Sequence, residues 1–273
     1  MDMRLRDWAL LLGAAGAATL AYGALIEAEN LVVERRTLRL PLWPESLSGF
    51  RIALLADFHI GSGVSVARAK RAIAMALEES PDMVVIAGDF VDYWRLPTPR
   101  LLGECLEPLL LMEGNVVAVP GNHDYYSCHG GDPALLTMIC NELNIRVLRN
   151  EVWRHLGVTW VGIDSATVGR AKPVETMRLC DSEPAIAIWH EPDLVHLLPP
   201  GCALQLSGHS HGGQFRFPGG FTPVHTDLGK LYPRGFYPDA PTPVYTSRGV
   251  GTTLLPTRLL CPPEVGLLTL VPG

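Results

Sequence analysis

"DMVVIAGDFVD", residues 82–92, reads as a buried strand that ends in chemistry. Met83 to Ala87 is a short apolar run rich in β-branched residues, the pattern of a strand covered on both faces. Gly88 interrupts it, and two carboxylates follow, Asp89 and Asp92. The same plan recurs. "RIALLAD" (51–57) delivers Asp57 with His59 just behind it, and "NVVAVPGNHD" (115–124) delivers Asn122 and His123. "AIAIWHEPD" (185–193) carries His190, and "ALQLSGHSH" (203–211) carries His209 and His211. Further strands are expected at 31–40, 145–148, 158–163, 243–247 and 265–271. Helices are expected over 64–80, stopped by Pro81, over 99–112 and near 133–143. Alternating strands and helices predict a layered α/β sheet, in which ligands gather beyond the carboxyl ends of the strands. Five segments would thus bring Asp, Asn and His to one rim.

The glycine-rich "SGHSHGGQ" (207–214) fits that rim and little else, because glycine weakens a helix and gives a strand nothing to pack. Two imidazoles one residue apart on so bare a backbone read as one wall of a metal site. Taken singly, "DFH", "GDFVD" and "GNHD" are each compatible with an ordinary turn. Their order, each at a strand end, is what points to a site.

By these motifs the sequence resembles the calcineurin-like metallophosphoesterases. "DFH" (57–59), "GDFVD" (88–92), "GNHD" (121–124), the His of "WHEPD" (189–193) and "GHSH" (208–211) carry the likeness. The tail "VYTSRGVGTTLLPTRLLCPPEVGLLTL" (244–270) resembles the branch of membrane-associated bacterial phosphodiesterases of the YkuE and YaeI type. The resemblance implies a four-layer αββα sandwich and two divalent metal ions. Asp57, His59 and His211 would hold one metal, Asn122, His190 and His209 the other, and Asp89 would bridge them. Such a pair binds phosphate and shares a hydroxide nucleophile. Mixed carboxylate, amide and imidazole donors suit transition metals, Mn²⁺ first, with Fe and Zn²⁺ as alternatives. The one-residue spacing in "HSH" lets an extended backbone aim one imidazole at each metal. Ligation needs neutral imidazole, so activity is expected to fade on acidification. By the same resemblance His123 protonates the leaving oxygen and Asp92 orients and charges it. Asp124 and Glu191 read as supporting residues. The chain departs from the phosphoprotein phosphatases at Tyr93, where those enzymes carry Arg to grip a phosphomonoester. That favours a phosphodiester or pyrophosphate.

Composition sets the frame. The 273 residues are 48% hydrophobic with a formal charge of −6, a globular balance that argues against nucleic acid as a partner. Six scattered cysteines (105, 128, 140, 180, 202 and 261) contain no CxxC pair, which argues against a thiolate zinc site. They read as buried thiols or as disulfides whose pairing is open. Trp8 to Ile26 is uncharged for 19 residues, about 28 Å as a helix and enough to span a bilayer. It is expected to be an uncleaved anchor, residues 1–28, ahead of a catalytic domain, residues 29–273. A cleaved signal peptide ending at "AYG" (21–23) is the other reading. Arg4 and Arg6 on one flank and Arg35, Arg36 and Arg39 on the other leave the orientation open. A bacterial inner membrane is the expected location.

Two stretches suggest the substrate. "DYWRLP" (92–97) and residues 212–238 place aromatic and basic residues next to the site. They suit either local packing or an apolar lip for a lipid-linked phosphate, such as UDP-2,3-diacylglucosamine. Hydrolysis of soluble nucleotides or diesters is the alternative, and a non-catalytic metal-binding scaffold is a second one.

Overall fold

A computed structural model describes residues 5–126, 133–180, 184–223 and 225–273. The chain runs α1 (Leu5–Leu25), β1 (Val32–Leu40), β2 (Phe50–Leu55), α2 (Gly63–Glu78), β3 (Met83–Ala87), α3 (Thr98–Leu106), β4 (Val116–Val119) and α4 (Ala134–Glu142). It continues with β5 (Arg146–Val147), β6 (Glu151–His155), β7 (Val158–Ile163), α5 (Pro173–Met177), β8 (Ala185–Trp189), β9 (Cys202–Ser207), β10 (Gly235–Tyr237), β11 (Val244–Thr246) and β12 (Glu264–Pro272).

Two six-stranded sheets result, in the orders β1-β12-β2-β3-β4-β5 and β10-β11-β9-β8-β7-β6. Period-two alternation sorts the side chains between layers. In β2, Ile52 and Leu54 point between the sheets, where they meet Trp160, Ile186, Ile188 and Leu206 from the second sheet. Ala53 and Leu55 point the other way, against Ala72 and Ile73 of α2 and Leu102 of α3. The second sheet does likewise: Ala187 and Trp189 turn outward onto Met177 of α5 and Leu198. Each such large apolar side chain contributes about 1.5–3 kcal/mol on full burial. The layering is therefore the expected αββα sandwich, with a slight fourth layer, since α5 has only five residues.

Helix α2 starts where Ser62 Oγ accepts a hydrogen bond from the Ser65 amide at 3.2 Å and Ser65 Oγ accepts one from the Ser62 amide at 3.0 Å, satisfying otherwise orphaned amides. The expected helix over 99–112 divides into α3 and a tighter 3-10 turn at Glu107–Met112. Three elements were not anticipated: β6, α5 and β10. Cys105, Cys140, Cys202 and Cys261 are buried, and burial pushes the Cys105 and Cys202 thiols up to about 12. Cys128 lies outside the described residues.

Strands β2, β3 and β4 are mutually parallel, as are β7, β8 and β9. The five of them that carry expected ligands, β2, β3, β4, β8 and β9, end at one rim of the sandwich. Helix α1 stands almost clear of the domain. Its last two turns dock: the Arg258 amide donates to the Gly23 carbonyl at 3.1 Å, and Thr257 Oγ1 to that of Leu20 at 3.3 Å.

Candidate metal centre

At the rim the backbone turns sharply. Asp57, His59, Asp89, His209 and His211 all have φ between 48° and 70°. An L-residue held there costs about 1–3 kcal/mol and persists only where its surroundings enforce it. Five of the seven expected ligands share this conformation. Each turn swings a side chain off its strand axis into the gap between the sheets' ends, and the turns brace one another. The Asp57 amide donates to Gly88 O at 2.9 Å, His59 N to Asp89 O at 3.2 Å, and Gly208 N to His190 O at 3.1 Å. Gly88 (φ 88°) allows the approach, since a Cβ there would lie 2.5 Å from His190 Nδ1.

Two clusters form, and a third shares His59 with the first. Asp57, His59 and His211 place ligand atoms within 4.8 Å of one another, as do Asp89, His190 and His209. Asp89 Oδ2 lies 3.2 Å from His190 Nε2 and 3.6 Å from His59 Nε2, so this carboxylate stands between the clusters. His59 Nε2 and His211 Nε2 face each other at 3.0 Å. The third cluster, His59, Asp92 and His123, is half open to solvent through Asp92. The Asn122 amide oxygen is buried and makes no hydrogen bond, while its Nδ2 donates to Tyr126 Oη at 3.1 Å.

Other hydrogen bonds fix the imidazole tautomers. His190 Nδ1 sits 2.6 Å from the Ala87 carbonyl, and His209 Nε2 2.6 Å from that of Asp227. A nitrogen facing a carbonyl must donate, so His190 Nε2 and His209 Nδ1 keep the lone pairs. His190 Nε2 is buried without a hydrogen bond, its neighbour at 3.2 Å being Asp89 Oδ2, and His59 Nδ1 and His211 Nδ1 also lack one.

The electrostatics ask for positive charge. Burial pushes the Asp57 carboxyl up, with Asp89 adding to it. Burial also works against ionised Asp89, but His190 and His59 outweigh it and hold Asp89 well below its usual range. His190 is correspondingly well above its ordinary value, Asp89 overcoming burial. Burial holds His211 well below, reinforced by His59, and His209 below, reinforced by His190. Imidazoles, buried carboxylates and an unpartnered amide oxygen make a donor set that suits divalent transition metals.

His123 begins the turn after Asn122, and its amide donates to Asp89 Oδ1 at 2.8 Å. Its Nδ1 donates to the main-chain carbonyl of Asp92 at 2.9 Å, whereas the Asp92 carboxylate is 3.7 Å off. The main chain of Asp92 thus orients the ring, and its side chain supplies charge nearby. Asp124 ties two motifs together, accepting from Phe90 N and Gly121 N at 2.9 and 2.8 Å. Burial, then Asp89, pushes it up to about 7. Glu191 accepts from Ser165 Oγ at 2.6 Å and Thr167 N at 3.0 Å. Of the expected lip, Trp94 turns inward and donates Nε1 to Asp124 O at 2.7 Å, while Leu96 and Phe221 stay exposed.

Two supports were not read from the sequence. Gly249 (φ 72°) packs on Asp57, where a Cβ would lie 2.7 Å from that of Asp57. Arg258 is completely buried and donates to the carbonyls of Arg248 at 2.8 Å, Cys261 at 3.1 Å and His211 at 3.4 Å, and to Gly249 and Gly251. One guanidinium thereby fastens the 248–261 segment behind Asp57 and His211.

The profile of the calcineurin-like phosphoesterase family matches residues 50–213. An uncharacterized metallophosphoesterase of Bacillus subtilis, YkuE, is 30% identical over 94% of this chain and 93% of its own length. The phosphodiesterase YaeI of Escherichia coli is 28% identical over 85% of this chain and 86% of its own. A zebrafish transmembrane protein with a metallophosphoesterase domain is 31% identical over 81% of this chain and 53% of its own.

Proposed function

Because the chain belongs to the calcineurin-like phosphoesterase family and is a metal-dependent phosphoester hydrolase, we propose that it cleaves phosphodiesters at a membrane. Asp57, His59 and His211 hold one divalent cation, and Asn122, His190 and His209 the other, with Asp89 shared. The observation that carries this reading is the grouping of six side chains from four strand ends around Asp89, with the Asn122–His123 turn tied to the same carboxylate. Buried atoms on Asn122 and His190 that make no hydrogen bond, and the facing Nε2 atoms of His59 and His211, favour a bound cation. When bound, the cations supply the charge that grips a phosphate and lowers the pKa of a water.

The chain's own groups do the rest. Asp89 balances positive charge between the clusters while its second oxygen holds the His123 amide. His123 keeps its Nδ1 hydrogen on the Asp92 carbonyl, so the proton it gives to a leaving oxygen is carried on Nε2. The Asp92 carboxylate lies 3.7 Å from that Nδ1. No arginine follows Asp92 to clamp a phosphomonoester, since Tyr93 stands there, which favours an ester with two organic arms. Helix α1 anchors the chain as residues 1–28, with the catalytic domain in residues 29–273; the zebrafish relative named a transmembrane protein supports this. Exposed Leu254, Leu255, Phe217 and Phe221 favour a lipid-linked substrate over a soluble one, UDP-2,3-diacylglucosamine being one of that type. Manganese is the first choice of metal.

The test uses the full chain in detergent, stripped by a chelator, reloaded with Mn²⁺ and assayed on bis(p-nitrophenyl) phosphate. Hydrolysis falls to background on stripping and returns on loading. A rate indifferent to chelation, or none with any divalent cation, contradicts the reading.

A further inference from the structure

We infer that the strap of residues 252–260 lies in the headgroup layer of the bilayer that α1 enters, so that the site opens directly toward lipid. The inference rests on the reading of α1 as a membrane anchor and adds to it a second, extramembrane contact. Position is the first reason. Thr257 and Arg258 are hydrogen-bonded to the carbonyls of Leu20 and Gly23. A Cβ on Gly23 would lie 2.5 Å from the Arg258 carbonyl, so the two backbones are in direct contact. Leu20 precedes the end of the uncharged run at Ile26 by six residues, about 9 Å of helical rise. The strap is therefore joined to α1 at a level where the helix is still apolar. Segments seated at the interface reach about 5–10 Å into the headgroup and acyl boundary.

Chemistry is the second reason. The strap, "TTLLPTRLL", has one charged residue, Arg258, and that side chain is completely buried. What it shows to the outside is Leu254, 89% exposed, with Leu255, Pro256 and Leu260. The neighbouring loop extends this surface, because Arg216 N donates to Leu259 O at 2.9 Å and exposed Phe217 and Phe221 follow. A largely apolar patch continuous with the foot of an apolar helix is complementary to lipid.

The strap is also held in shape. Gln214, three residues beyond His211, donates to the carbonyls of Thr253 and Leu255 at 2.9 and 3.0 Å and accepts from the Thr253 amide at 3.0 Å. Leu254 and Leu255 consequently wall two clefts at once. One, of about 360 Å³, contains His59 and Asp92; the other, of about 370 Å³, contains His209 and His211. A phosphodiester whose apolar arm stays in the bilayer reaches the site along this wall.

Depth-dependent quenching tests the contact without measuring catalysis. The full chain is reconstituted in phosphatidylcholine–phosphatidylglycerol vesicles with or without brominated acyl chains. A thiol-reactive bimane is attached at Leu254→Cys, at Leu12→Cys in α1, or at Leu111→Cys beyond α3, at the amino end of β4 and so on the opposite rim. The parent chain treated in parallel sets the background from native thiols. Bromine is expected to quench the Leu12 and Leu254 probes by about twofold or more and to leave Leu111 unchanged. Quenching at Leu12 with Leu254 behaving like Leu111 overturns the inference and leaves the anchor standing. Quenching at neither overturns both. A Leu254 probe shielded equally with and without bromine, as by a second copy of the chain, also overturns it.

Discussion

Replacing Asp89 with alanine is expected to lower kcat/KM on a phosphodiester by about ten-thousandfold, which at about 1.4 kcal/mol per decade is about 5.5 kcal/mol of transition-state stabilisation. The size follows from how many jobs one side chain has. Asp89 Oδ2 lies within 3.2–3.6 Å of imidazoles from both clusters, and Oδ1 accepts the His123 amide. Alanine removes the shared ligand, the negative charge and the brace under the proton donor together. Asp89→Asn separates these effects, because its amide oxygen can still accept from His123 N while the charge is gone. We expect Asp89→Asn to fold like the parent and to remain almost as inactive as Asp89→Ala. Recovery of most activity in Asp89→Asn would mean that the residue acts through the backbone of the turn and not as a ligand.

His123→Ala is expected to cost about a thousandfold in kcat on a diester with alkyl arms. On bis(p-nitrophenyl) phosphate the loss should be below about tenfold, since that leaving group departs readily as an anion and needs no proton. The difference is diagnostic because His123 is not among the seven side chains assigned to the cations, and its ring is oriented through the Asp92 carbonyl. Equal losses on the two substrates would move His123 from proton donation to support of the Asn122 turn. Side-by-side kinetics on one preparation of each protein decide it.

The strands that carry the site were legible because buried parallel strands announce themselves as apolar runs. Val84, Val85 and Ile86 have no exposed face and need no polar alternation. Strand β6 hides for the opposite reason: "EVWRH" pairs only with β7 at the sheet edge, stays half-exposed, and mixes charge with aromatics. Strand β10 has three residues and α5 five, too few to show a period.

The site divides in the same way. The ligand types at strand ends could be read, because residue identity and a neighbouring glycine are local signals. The left-handed backbone of Asp57, His59, Asp89, His209 and His211 could not, because side-chain-bearing residues take that shape only when distant segments enforce it. Gly249 and Arg258 are such segments. Arg258 touches the His211 carbonyl across 47 residues of chain and sits between two leucine pairs with nothing nearby to signal a role. Trp94 shows the limit from the other side. Its position in "DYWRLP" suits a surface lip, yet its indole is satisfied by the Asp124 carbonyl and packs inward.

The central claim is that these side chains cage a pair of cations, and metal stoichiometry tests it most directly. Full-length protein loaded with Mn²⁺, freed of excess by gel filtration and analysed by atomic emission should carry two equivalents per chain. Asp89→Ala should carry fewer than one. A folded wild-type chain that retains no transition metal, or one whose content is unchanged by loss of Asp89, contradicts the account.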